Sequence, residues 1–313
     1  LATCSHKWGR YYKTNSHDPG KEDTLLLHFR QNKWDLLFIL ILGWLVNYLS
    51  RRFSGLLPEM PLNVPTFLGT AISVLLSFKM SQSYDRWWEA RKVWGAIVND
   101  SRTFVLQLQN FVAASDHPVV RRMVYRQIGW CYSLGQSLRG FDPLQHLGKY
   151  ISEEELSQLA THSNKPLAIL QLNSQDLKQL RADGQLDPYS HVQLDNTLVR
   201  FCDSMGKAER ISNTVFPVTY RLFLHAAIYL FVVILSLSLK NVPPAFEMPL
   251  LLLISALFLL LQKTAFHLQD PFKNRPSDIP VTAIARTIEI NLRQLIGEKE
   301  TLKPLQPNGF YLL

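Results

Sequence analysis

Residues 220–262 read YRLFLHAAIYLFVVILSLSL, then KNVPPAFEMP, then LLLLISALFLLLQ. The first run is about 20 residues of nearly unbroken apolar character, enough at ~1.5 Å per residue to cross a ~30 Å hydrocarbon core. The last run opens a block from Pro249 to about Leu268 and is the strongest transmembrane signal in the chain. The link Lys240–Met248 is short and Pro-rich, which predicts a tight turn and makes the two blocks a membrane hairpin. One block alone would fit a buried helix of a large soluble protein equally well; a pair joined by such a turn favours the membrane.

Two further blocks lie upstream. The first runs from about Leu36 to Leu57 around LLFILILGWLVNYL, with Trp34, Trp44 and Tyr48 as candidate interfacial aromatics and with Arg51 and Arg52 able to snorkel. The second starts after Pro65, is less apolar, and flows past Met80 into SQSYDRWWEARKVWGAIVNDSRTFVLQLQNFV with few breakers. It predicts one long helix that begins in the membrane and leaves it. The divisions expected are an N-terminal cytosolic segment 1–33, spans at 34–57, 65–100 (continuing into a cytosolic helix), 216–239 and 248–268, a helical cytosolic region 101–212, and a C-terminal segment and arm 269–313. Within the cytosolic region, helices are expected at 119–138, 153–159 (capped by Ser152), 167–180 and 189–208, and another at 281–296. Strand signals are poor throughout. The fold class is all-α, a polytopic membrane protein.

Lys and Arg are sparse in the two short links and richer on the other flanks, which include Arg86, Arg91, Lys92, Lys207, Arg210, Lys273 and Arg275. The positive-inside rule then puts both termini and the central segment on the cytoplasmic side. The whole chain of 313 residues carries a net charge of +8, which suits anionic headgroups or attraction of anions; no tract is dense enough in Lys and Arg to predict nucleic-acid binding. Its 3 cysteines, Cys4, Cys131 and Cys202, are isolated, so neither a disulfide framework nor a thiolate metal centre is expected. No phosphate-binding loop, HExxH or GxSxG stands in the sequence, and no enzyme is predicted.

Projected at ~100° per residue, the second block places Thr66, Thr70, Ser73, Val74, Ser77, Ser81 and Tyr84 in one arc, with Phe78 at its edge. Leu68, Ile72, Leu75 and Leu76 fall on the other side. Two readings of the arc stay open. The hydroxyls could bond the preceding turn within tight packing, or the face could line a conduit. In the second case Val74 and Phe78 form an apolar collar of the kind that closes a pore by dewetting. A single helix cannot surround a pore, so that reading requires an oligomer. Beyond the arc, Tyr84, Asp85, Arg86, Trp87, Trp88, Glu89 and Arg91 put charges and aromatics at the membrane boundary, as an interfacial anchor or as a network clamping this helix to its neighbours.

The run SYDRWWEARKVWG, Ser83–Gly95, resembles the signature of the bestrophin family, particularly its bacterial members. Asp270–Pro271–Phe272 and the stretch from Phe216 and Pro217 through Tyr220 to His225 extend the likeness over roughly Asp23 to Arg286. The resemblance implies a homopentameric ion channel with four transmembrane helices per subunit and a helical cytosolic domain. It places an apolar neck on the second helix at Thr70, Val74 and Phe78, of which only Phe78 is a typical large neck residue. It places a second, cytosolic constriction directly after an Asp–Pro pair, here at Tyr189, which could equally be packed at a helix start. The calcium-binding acidic cluster of animal members is not expected: Lys273, Asn274, Arg275, Pro276, Ser277 and Asp278 offer one carboxylate where calcium takes six to eight oxygens. The implied function is passage of small monovalent ions, chloride and other anions being the commoner cargo, with a sodium or potassium channel as the alternative and a non-conducting membrane scaffold as the alternative of another class. No metal or cofactor is implied. The expected surroundings are membrane lipid and other copies of the chain, in a bacterial inner membrane.

Overall fold

The computed structural model describes residues 33–53, 60–113, 118–214, 217–300 and 302–307. Expectations for residues 1–32, for the end of the first span at 54–57, for Phe216 and for the last residues of the arm lie outside these. Among the described residues every regular element is helical: α1 (Lys33–Arg52), α2 (Asn63–Phe111), α3 (Pro118–Leu138), a single 3-10 turn (Leu147–Lys149), α4 (Glu153–Ala160), α5 (Lys165–Ala182), α6 (Pro188–Asn213), α7 (Val218–Ser238), α8 (Pro244–Gln269) and α9 (Val281–Leu295). Four of them, α1, α2, α7 and α8, are long and apolar enough to cross a membrane. Most residues of these apolar stretches are not buried. Leu222, Phe246 and Leu253 are 60%, 72% and 70% exposed. At ~25 cal/mol per Å² such a surface is costly in water and costs nothing in lipid.

The chain divides into two compact units, Leu1–Val74 with Leu222–Leu261, and Leu75–Arg221 with Gln262–Leu313. In the first, α1 and α8 approach closely at Gly43, where a Cβ would stand 2.8 Å from Leu251 Cδ2. Phe231 of α7 meets Phe258 of α8 edge-on, with ring centroids 5.3 Å apart. A buried polar cluster joins the same elements. Asn47 Nδ2 donates to Glu247 Oε2, Ser236 Oγ donates to Glu247 Oε1 (2.9 Å), and Arg51 Nε donates to Asn47 Oδ1 (3.0 Å). Glu247 is fully buried, so these donors offset its loss of water.

The second unit is a helical domain with one apolar core. Phe104 of α2, Trp130 of α3 and Phe201 of α6 meet at its centre, with centroids 5.8 Å (Phe104–Phe201) and 5.2 Å (Trp130–Phe201) apart. Side-chain caps start its shorter helices: Ser152 Oγ accepts from Glu155 N (3.4 Å), as the sequence predicts, and Asn164 Oδ1 accepts from Leu167 N (3.1 Å).

Helix α2 continues to Phe111, the single long helix that the unbroken run past Met80 predicts. It buries Ile72, Leu76, Lys79, Ser83, Ala90, Trp94, Ile97, Ser101, Phe104 and Leu108, spaced three, four or seven apart. That 3.5-residue rhythm keeps one face covered throughout, so the helix has no reason to stop at Gly95 or Asp100. Helix α8 begins at Pro244, inside the link expected to be a turn through Met248. Pro244 supplies the helical φ at the first position, where its missing N–H costs nothing, and the Pro243 carbonyl accepts from Phe246 N (2.9 Å) and Glu247 N (3.0 Å).

The two described cysteines differ in environment. Cys131 is fully buried on α3, and Cys202 is exposed on α6. Burial pushes the Cys131 thiol up to about 12. Only the thiolate reacts, so with Cys4 replaced by serine, maleimide at neutral pH is expected to label Cys202 alone until the protein is unfolded. Peptide mass mapping checks this; label on native Cys131 would contradict the burial.

Candidate functional site

The hydroxyl-bearing arc of α2 is exposed from its first turns: Thr66, Thr70, Ser73, Ser77 and Ser81 all face outward. Val74, Phe78 and Tyr84 are 49%, 64% and 49% exposed. Thr66 Oγ1 donates to Leu62 O (2.7 Å), Thr70 Oγ1 to Thr66 O (2.9 Å) and Ser73 Oγ to Gly69 O (2.8 Å). The hydroxyl protons are thus spent on the preceding turn, as the packing alternative requires, yet the side chains are not packed away. Each hydroxyl oxygen keeps acceptor capacity toward the outside. Thr66, Thr70 and Ser73 also line a groove of about 380 Å³ whose far wall is apolar, with Phe231 and Leu235 of α7 and Ile254 and Phe258 of α8.

At the boundary segment, aromatic and charged residues separate. Trp88 stacks with Tyr84 (6.4 Å between centroids, 6° between planes) and with Trp87 (6.3 Å). Trp87 Nε1 donates to Ser277 O (3.1 Å). Arg86 Nη2 donates to the Ile211 and Thr214 carbonyls at the end of α6, the latter at 2.6 Å, and stands 3.9 Å from Asp270 Oδ1. A guanidinium there meets carbonyls left unbonded by the helix end as well as the negative end of its dipole. Glu89 turns instead to Lys92 (2.6 Å). Asp85 and Arg91 are exposed.

Tyr189 is 86% exposed in the first turn of α6. Asp187 caps that helix, its Oδ1 accepting from Tyr189 N (2.9 Å) and Ser190 N (3.1 Å), and these hydrogen bonds hold its carboxyl below the usual range. The cap thus fixes the backbone of Tyr189 while leaving its ring outside the core. After α8, Asp278 Oδ2 accepts from Arg275 N (3.0 Å), which ties that carboxylate to its own loop. No group of three or more His, Cys, Asp or Glu among the described residues is placed to hold a metal ion.

Sequence reasoning passed over two buried ionisable residues of the membrane-length helices, one on α2 and one on α8. Lys79 is 7% exposed and its Nζ donates to Gln269 Oε1 (2.5 Å); Glu247 is the other. The signal was available, since a Lys or Glu within an apolar helix is costly unless it has a task.

Four helices long and apolar enough to span a bilayer and a helical second unit define a membrane protein that is all-helical among the described residues. The Bacterial/Fungal Bestrophin protein family matches residues 33–294, and the chain belongs to that family. Escherichia coli K12 has a relative named voltage-dependent anion channel-forming protein YneE, 31% identical over 249 residues, covering 79% of this chain and 81% of that one. The protein of the same name from Salmonella typhimurium is 30% identical over 295 residues, covering 88% and 96%. A solved bacterial bestrophin homologue from Klebsiella pneumoniae superposes with a TM-score of 0.80 at 30% identity, covering 85% of this chain and 99% of that one. Membership of this family sets the chain apart from enzymes.

Proposed function

We propose that five copies of this chain form a channel in the bacterial inner membrane, with both termini cytoplasmic, that passes small monovalent ions and prefers anions. The observation that carries the reading is the two-sided character of α2. One face is buried along its length, while the other presents Thr66, Thr70, Ser73, Val74, Ser77, Phe78 and Ser81 outward. Small hydroxyl side chains gain nothing from lipid, whereas around a shared axis they offer oxygen to passing water and ions. Thr70, Val74 and Phe78, each four residues after the last on that helix, form the neck, with Phe78 as its one large apolar ring. Tyr189 of each subunit narrows the cytosolic exit. Tyr84, Trp87 and Trp88 anchor α2 at the interface, and Arg86 clamps it to the end of α6. The relatives named as anion channel-forming proteins support the preference for anions.

Purified protein in planar bilayers under a KCl gradient tests this. A reversal potential near that of chloride is the expected result. One near that of potassium would select the cation reading, and no current from inserted, oligomeric protein would select the scaffold.

A further inference from the structure

Two guanidiniums meet one phenyl ring where α7 begins and α8 ends. Arg221 Cζ lies 5.3 Å from the centroid of the Phe266 ring, and Arg275 Cζ lies 5.8 Å from the same centroid. All three residues belong to the second compact unit. Arg221 is exposed, and its side chain makes no hydrogen bond or ion pair with any described residue. Arg275 stands in the loop after α8, where Asp278 fixes its backbone: Arg275 N donates to Asp278 Oδ2 (3.0 Å), and Asp278 N donates to Arg275 O (3.0 Å). Arg275 Nη1 is buried without a hydrogen-bond partner among the described residues. The Asp278 carboxylate interacts with the charge of Arg275 and with that of Arg139 on α3, so one acid is shared by two guanidiniums. A cation over a ring is held by the ring's quadrupole, which leaves its charge and its N–H edge for another partner. Two like charges at one ring repel, and an anion bound to the pair removes that cost.

The place of the pair in the fold identifies what carries the anion. Arg221 is in the first turn of α7 and Phe266 in the last turn of α8, both helices of membrane length. Leu222 and Phe223, next on α7, are exposed and apolar. The guanidiniums therefore stand at the level where hydrocarbon gives way to headgroups. We infer that Arg221 and Arg275, held at the Phe266 ring, bind the phosphate of an anionic phospholipid headgroup in the cytoplasmic leaflet. The inference rests on the membrane orientation proposed above and is independent of ion conduction. Phosphate oxygens match the planar fork of a guanidinium, and the anionic leaflet supplies the ligand at high local concentration.

The test titrates the full-length protein in detergent with short-chain phosphatidylglycerol, with the matching phosphatidylcholine and with soluble glycerol 3-phosphate, reading occupancy by native mass spectrometry. The wild type is expected to retain phosphatidylglycerol in preference to phosphatidylcholine and to ignore glycerol 3-phosphate. Arg221→Gln and Arg275→Gln are each expected to weaken phosphatidylglycerol binding ~5-fold and to leave phosphatidylcholine binding unchanged. Arg221 is exposed, so its replacement spares the packing, and size-exclusion chromatography checks assembly of both variants. Arg221→Lys is expected to recover part of the loss, since it restores the charge without the fork. Phosphatidylglycerol binding unmoved by Arg221→Gln, an equal loss of both lipids, or a wild type without preference overturns the assignment. Occupancy by glycerol 3-phosphate at the concentrations that suffice for the lipid would overturn it too, in favour of a soluble phosphate ester. The expected lipid pattern in a protein that carries no current would refute the channel and leave this site standing.

Discussion

The double variant Val74→Ala/Phe78→Ala is expected to pass ions faster than the wild type. Both side chains are exposed on the open face of α2, so trimming them removes little core packing and the helix is expected to persist. Around a shared axis they are the apolar constriction, and an ion crossing it sheds water with no oxygen to replace it. A reduction of ~1.4 kcal/mol in that barrier is a ~10-fold rise in flux. Anion-sensitive dye trapped in liposomes reads this directly, with size-exclusion chromatography of the same preparation as the control for assembly. Phe78→Ala is expected to give most of the effect, because Val74 differs from alanine by only two methyl groups. Flux equal to that of the wild type, from a correctly assembled double variant, would remove the neck from these positions and return the hydroxyl arc to a packing role.

Arg126→Met is expected to produce the largest loss of stability, by a mechanism remote from conduction. Arg126 of α3 is 4% exposed. Its guanidinium donates to both carboxylate oxygens of Glu155 (3.1 and 2.5 Å) and to Asp176 Oδ2 (2.6 Å). One side chain thus ties α3 to α4 and α5. Removing it strands Glu155 with most of its surface buried, whereas Asp176 keeps Arg122 as a partner (2.8 Å). Breaking a buried pair from one side costs about 3–5 kcal/mol, chiefly as the penalty on the charge left behind. In a protein of this size that corresponds to a fall in melting temperature of roughly 10 °C. Adding Glu155→Gln to Arg126→Met should recover part of the loss, because the stranded charge goes with it. Thermal unfolding in detergent measures both. A melting temperature unmoved by Arg126→Met would mean that the pairs contribute little beyond the apolar core around Trp130 and Phe201.

Thr70, Val74 and Phe78 lie on one stretch of chain, whereas Arg126 meets Glu155 and Asp176 from other helices. The same division runs through the molecule. Four membrane-length helices were legible because apolar density over ~20 residues is a property of a single segment and needs no partner. The cap at Ser152 and the shared face of Thr66 to Ser81 were legible for the same reason: a cap acts within one turn, and a helix face follows from its period. The Ser83–Gly95 signature was dense enough to indicate the family.

Other features depended on partners that the local sequence does not name. Phe104 and Leu108 of α2 are buried in the apolar core, where Phe104 meets Phe201 of α6. Lys79 meets Gln269 across 190 positions, and Asn47 meets Glu247 across 200. Arg86 bonds the end of α6, 125 and 128 positions away, although Glu89 stands within reach on its own helix. By itself the sequence determined which segments leave water and which residues share one face of α2, because hydropathy and helical period are local. Only the tertiary structure decided what satisfies the buried charges, because the energy of an ion or hydrogen bond inside protein depends on which atoms the fold brings within about 3 Å.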